Sequence, residues 1–180
     1  MRIWKRKFCF IDIETSSLQP DAEILEIAGL MIQPPDFSII EEFDYLVKME
    51  QLERSNQECL RVIGYSEQKW AAARDLREVL LAVQLKVKGT VLIGFRSDFD
   101  WSRLERAFFD HGLADPFYKK HIDIFPLALM LVKENVSERI ESLTEFCEFF
   151  DVERGQAHRA LDDVRAAYNL FLRLLEKFPK

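Results

Sequence analysis

The stretch Phe8-Cys9-Phe10-Ile11-Asp12-Ile13-Glu14 sets the tightest condition on how this chain can fold. Its aromatic and β-branched residues suit a central, buried strand. Strand side chains alternate, so Asp12 and Glu14 leave the backbone on the same face. Two carboxylates that close repel each other, and desolvating either one without a partner costs on the order of several kcal/mol. Either the strand end faces water, or a cation sits between the acids; Mg²⁺ and Mn²⁺ take such oxygen ligands. An acid-x-acid pair alone is consistent with both readings.

The pattern that follows predicts how this strand is flanked. Glu23 to Ile32 is a second apolar run, with Gln19-Pro20-Asp21 as the turn before it. Pro34-Pro35-Asp36 breaks the chain, and the alternation of Phe43, Tyr45 and Val47 predicts a half-exposed third strand, completing an antiparallel meander. Leu76, Val79, Leu80 and Val83 predict an amphipathic helix with Ser66 in its cap region, followed by a short buried strand, Val91 to Ile93, ended by Gly94. Trp101, Leu104 and Phe108 mark a further helix, and Ile122-Asp123-Ile124 a fifth short strand. Leu143, Phe146, Cys147 and Phe150 fall at helical offsets, as do Leu161, Val164, Tyr168, Phe171 and Leu175 in the last and clearest helix. A meander followed by strand–helix alternation is the pattern of an α/β layer sandwich. No internal repeat or boundary interrupts it, so the expectation is one domain over residues 1–180.

Charge narrows the function. With 25 basic against 31 acidic residues the net charge is −6, which argues against a broad duplex-coating surface. It leaves room for a nuclease that grips a few nucleotides with the help of bound metal. The three cysteines, Cys9, Cys59 and Cys147, have no paired spacing and read as buried free thiols in a reducing compartment. The basic lead-in Met1 to Lys7 is followed by only Phe8 to Ile11 before Asp12, too short for a signal core or a membrane span. The expected location is cytoplasmic, with no membrane contact. The 15 Phe and 3 Trp fall mostly at periodic apolar positions and read as core rather than as base-stacking platforms.

Three further polar residues draw attention. Asp100 stands at the start of the Trp101 helix, where an acid ordinarily caps or complements the macrodipole; Asp98 competes for that role. His158 and Asp163 are five positions apart, which on one continuous helix would aim them about 140° apart. They converge only if His158 lies in the loop before the helix, which Gly155-Gln156 makes plausible.

Taken together, Phe10-Ile11-Asp12-Ile13-Glu14-Thr15-Ser16-Ser17-Leu18, Ile93-Gly94-x-x-x-x-Phe99-Asp100-x-x-x-Leu104 and His158-Arg159-Ala160-Leu161-Asp162-Asp163 resemble the three exonuclease motifs of the DEDD superfamily. The His-x4-Asp spacing resembles its DEDDh branch, which includes the replicase proofreading subunit and RNase T. Ile122-Asp123 before an apolar helix, and Ser142-Leu143-x-x-Phe146-Cys147, extend the likeness over nearly the whole chain.

The resemblance implies an RNase H-like α/β fold: a mixed central sheet that opens with the antiparallel three-stranded meander, flanked by helices. It implies two divalent ions, Mg²⁺ or Mn²⁺, held by Asp12, Glu14, Asp100 and Asp163, with His158 as general base in 3′→5′ hydrolysis. By the same likeness, Thr15 and Ser16 would offer backbone or hydroxyl donors to a 3′-end, Leu18 would wedge against the last bases, and Phe99 would pack on the terminal base. Single-stranded DNA or RNA 3′-ends are the implied partner; a polymerase or a second copy of the chain is a candidate without a sequence signature. Departures fall in the middle motif, where Phe95-Arg96 stand in place of the usual His-Asn and Arg96 becomes a candidate phosphate contact, and at Ser17, which replaces a common glycine. Asp98 adds a further acid there. The alternative reading is a nucleic-acid-binding or polymerase-associated module with weak or lost catalysis, and a third is an RNase H-like endonuclease. A binding module has no need of four acids in a phosphate-binding cleft, since without metal they repel the ligand.

Overall fold

The opening apolar run forms β1 (Phe8–Thr15), which is flanked on both sides. It pairs antiparallel with β2 (Ile24–Gln33) and parallel with β4 (Val91–Gly94). The sheet continues outward to β3 (Ser38–Leu46) beyond β2 and to β5 (Ile122–Asp123) beyond β4, giving the order β3-β2-β1-β4-β5. This computed structural model describes residues 3–132 and 140–177.

Alternation along β1 divides the core into two layers. Phe8 and Phe10 face α6 (Ala160–Leu175), together with Leu30, Ile32 and Ile93, and bury Val164, Leu170, Phe171 and Leu174. Cys9, Ile11 and Ile13 face the opposite layer, against Val79, Leu80 and Val83 of α2 (Leu76–Val87) and Leu104 and Phe108 of α3 (Asp98–Asp110). Each fully buried large aliphatic side chain contributes roughly 1.5–3 kcal/mol. Asp12 and Glu14 continue the Phe8/Phe10 series and so point toward the α6 side. At Gly29 a Cβ would lie 2.3 Å from the Phe43 ring, so the ring of β3 can cover β2 only where β2 has no side chain.

Several boundaries depart from the sequence pattern. Val47 lies past β3 and makes an isolated parallel bridge to Arg74, because the chain there leaves the sheet toward α2. Ser66 does not cap α2, which begins after Asp75; its hydroxyl instead accepts from the Lys69 N–H in a separate turn. Ile124 is not in β5 but precedes α4 (Phe125–Leu131), packed in the core. Cys59 is half-exposed rather than buried, since it sits on a short surface helix, α1 (Gln57–Val62), that the pattern did not reveal. Helix α5 (Leu143–Phe149) starts at a capping box in which Ser142 and Glu145 satisfy each other's backbone N–H groups.

Candidate active site

Strand β4 runs out before β1 does: Phe10 is the last β1 residue paired with it, opposite Ile93. The Ile13 N–H on that side is therefore without a strand partner, and it donates to Asp100 Oδ1 at 3.0 Å. Of the two readings of Asp100, the helix cap is set aside. The residue before α3 is Ser97, with no side-chain cap bond, and Asp100 is buried at 4% exposure with its carboxylate turned back onto β1. Asp98 is turned away, exposed and bonded to His121 Nε2 at 2.8 Å, so it stands apart from the other acids.

The condition for convergence at the chain's other end is met. His158 precedes α6 and Asp163 occupies its first turn. The His158 N–H donates to Asp163 Oδ2 at 3.2 Å, and His158 has φ 60, a left-handed conformation uncommon outside glycine. The neighbouring Asp162 accepts from the Gln156 N–H at 3.0 Å, and a Cβ at Gly155 would lie 2.6 Å from the Asp162 carboxyl carbon. Glycine is required there for the loop to close over the helix start.

Glu14, His158 and Asp163 each offer a ligand atom within 4.8 Å of the others. Asp12, Glu14, Phe99, Asp100, His158 and Asp163 line one cavity of about 380 Å³, which Leu18, Phe95, Arg96 and the face of α1 with Glu58, Cys59 and Val62 complete. A smaller pocket of about 180 Å³ shares Asp12, His158 and Asp163 and reaches Thr144 on α5.

Electrostatics describes a site under strain. Burial, then the charges of Asp100, Asp163 and Glu14, push the Asp12 carboxyl well above the usual carboxylate range. Burial followed by Asp163, Glu26 and Asp100 moves Glu14 up to about 8. Asp100 rises to about 7 through burial, against the opposing pull of the Ile13 N–H. Burial also raises Asp163 despite its ion pair. Oxygen donors that hold protons because they are buried, with like charges beside them, are a fit for a hard divalent cation, which would replace those protons.

Two arginines that sequence reasoning passed over hold this cluster. Arg154 Nη2 pairs with Asp163 Oδ1 at 2.6 Å, and its Nη1 donates to Thr144 Oγ1, so both Asp163 oxygens are engaged. Arg159, next to His158, binds the fully buried Glu26 of β2 at 3.2 Å and lies 3.8 Å from Asp44, pinning the loop to the sheet. The signal for α1 was Asn56, whose side chain accepts from the Glu58 and Cys59 N–H groups. The arginines left no signal that separates them from surface charge.

The expected substrate contacts are distributed unevenly. Leu18 is 75% exposed, whereas Phe99 is half-buried. The Thr15 hydroxyl donates to Ser17 O at 2.7 Å, and the Ser16 N–H donates to Glu23 O at 2.9 Å, so these two donors close their own loop. The Ser16 hydroxyl accepts from the Glu23 N–H at 3.1 Å. Arg96 is exposed, with its guanidinium 4.6 Å from the Phe125 ring centroid and its N–H on Asp123 Oδ1 at 2.8 Å.

A family model described as RNase_T, Exonuclease, matches residues 9–171. The chain is 29% identical over 175 residues to a PolC-type DNA polymerase III of Thermotoga petrophila, covering 96% of this chain and 12% of that protein. The corresponding polymerase of Caldanaerobacter subterraneus subsp. tengcongensis is 28% identical over 172 residues, again covering 12% of its length. The chain therefore spans about an eighth of these relatives. In fold it is similar to E. coli exonuclease I solved in complex with a dT13 oligonucleotide, with TM-score 0.77 and 18% identity over 95% of this chain and 41% of that one. Among the described residues, no helix is long and apolar enough to cross a membrane.

Proposed function

This chain belongs to the exonuclease family of the DEDD superfamily, and from that premise we propose that it is a DEDDh-type 3′→5′ exonuclease. It removes nucleoside monophosphates from single-stranded DNA or RNA ends, acting as one catalytic domain. The observation that carries the reading is the convergence of Asp12, Glu14, Asp100, His158 and Asp163 on one cavity from β1, α3 and the start of α6.

Asp12, Glu14, Asp100 and Asp163 would hold the metal. Two Mg²⁺ or Mn²⁺ ions there would supply an activated water and stabilise the leaving 3′-oxygen. His158 is exposed at the cavity rim, and an imidazole is the side chain best able to take the water's proton near neutral pH. Its N–H contact with Asp163 ties the base to the acid cluster. Arg154 keeps Asp163 in place, and Arg159 does the same for the loop. Leu18 and Phe99 present apolar surface to the last bases, which tolerates any sequence. Arg96, exposed at the same cavity, would meet a phosphate, and Thr15 and Ser16 would shape the loop beneath the 3′-end. The polymerase relatives support a polymerase as partner. The free Cys9, Cys59 and Cys147 support a reducing, cytoplasmic setting.

The test is a comparison of 3′-labelled single-stranded DNA and RNA in Mg²⁺ or Mn²⁺. Release of the labelled mononucleotide before any internal fragment is the expected result, and the faster polymer identifies the substrate class. Internal fragments appearing first would favour an endonuclease. Binding with no cleavage would favour a recognition module.

A further inference from the structure

We propose that Arg103 is the positioning residue of the cavity's base-binding wall, clamping the loop that bears Leu18 to the turn that bears Phe99. The proposal rests on the exonuclease reading above. Arg103 Nη2 donates to Leu18 O at 3.0 Å and to Gln19 O at 3.3 Å, joining segments some 85 residues apart. Its Nη1 donates to Phe99 O at 3.3 Å, and its guanidinium carbon lies 3.5 Å from the Phe99 ring centroid. One planar group thus touches both apolar residues of the wall from behind. It also lines a separate cavity of about 300 Å³, beside Arg106 and Asp110.

Leu18 needs such a support. Its side chain is 75% exposed and belongs to none of the core clusters, so packing does not fix it. The base of the loop is closed by Ser16 and Glu23, and Asp21 is tied to Arg54, but the Leu18–Gln19 tip meets α3 through Arg103. Arg103 Nε is buried with no hydrogen-bond partner among the described residues, a cost that a free surface arginine would avoid by turning outward. A fixed guanidinium fork can serve three carbonyls and a ring face at once; a lysine ammonium is a point charge that cannot.

The experiment compares wild type, Arg103→Gln, Arg103→Lys and Arg106→Gln on a single-stranded oligonucleotide and on bis(p-nitrophenyl) phosphate, which has no bases for the wall to hold. Arg106 is exposed on the same helix and pairs with Asp110, so it controls for loss of a positive charge on α3, while Arg103→Lys keeps the charge that Arg103 presents to Asp100. Both Arg103 variants are expected to raise the oligonucleotide KM about tenfold with kcat little changed. Their hydrolysis of bis(p-nitrophenyl) phosphate should stay within about twofold of wild type, and Arg106→Gln should behave as wild type. Equal loss on both substrates, or no change on either, would overturn the proposal; Arg103→Lys keeps the charge and stem should Arg103→Gln fail to fold. Wild type inactive on both substrates would instead overturn the exonuclease reading itself.

Discussion

The Ile13 N–H donates to Asp100 Oδ1 at 3.0 Å across 87 positions of sequence. Ile13 lies between Asp12 and Glu14, so this bond sets the spacing of three acids at once. It exists because β4 stops pairing at Phe10 and leaves the end of β1 with an open side, into which the first turn of α3 delivers its carboxylate.

These acids make metal-free stability depend on pH in a stated direction. Glu14 at about 8 and Asp100 at about 7 both lie above their ordinary values of 4.5 and 3.8. Between those ordinary values and the raised ones, the folded state binds more protons than the unfolded one, so stability falls as pH rises. Thermal melting in EDTA should give a higher Tm at pH 5 than at pH 8, with the decline concentrated between those limits. Mn²⁺ should raise Tm more at pH 8 than at pH 5, because it then competes with fewer protons. A flat EDTA profile would contradict the raised protonation of these buried acids.

His158→Ala should lower kcat by about 10²–10⁴-fold, the usual contribution of a positioned base. Binding of a single-stranded oligonucleotide, read by anisotropy, should remain near wild type. Collapsed affinity with normal turnover would contradict the role of base.

The acid pair on β1 and the looped placement of His158 were legible because they follow from period alone: two residues along a strand share a face, and five along a helix do not. Asp100 was singled out only through the motif likeness, because taken alone a first-turn acid looks like a cap until its distant partner is known. Arg103, Arg154 and Arg159 were opaque for the same reason, since an arginine carries no local mark of burial. Helix α1 has six residues, too few for an apolar period to declare itself, and only Asn56 announced it. Ser66 drew the cap because it precedes an apolar pattern, while the turn it closes ends well before Leu76.

Arg159 and Glu26 supply a stability test separate from catalysis. Glu26 is fully buried, and burial, then Asp44, moves it up to about 7 against the pull of Arg159. Arg159→Met should destabilise the fold by about 3–5 kcal/mol, because it leaves a buried carboxylate without its cation. Adding Glu26→Gln should restore most of that loss, as measured by urea unfolding. Additive losses in the double variant would show that the two residues do not act as a pair.

The central claim, that the acid cluster of β1, α3 and α6 hydrolyses nucleic acid from its 3′-end with divalent metal, is tested most directly by wild type and Asp12→Ala on 5′-labelled single-stranded oligonucleotide in Mg²⁺, Mn²⁺ or EDTA. The account predicts a ladder shortening from the 3′-end with wild type in either metal and none in EDTA. Asp12→Ala should lose at least about a thousandfold in rate, some 4 kcal/mol, with its Tm in EDTA equal to or above that of wild type. Near-normal cleavage by folded Asp12→Ala in Mn²⁺ would contradict it.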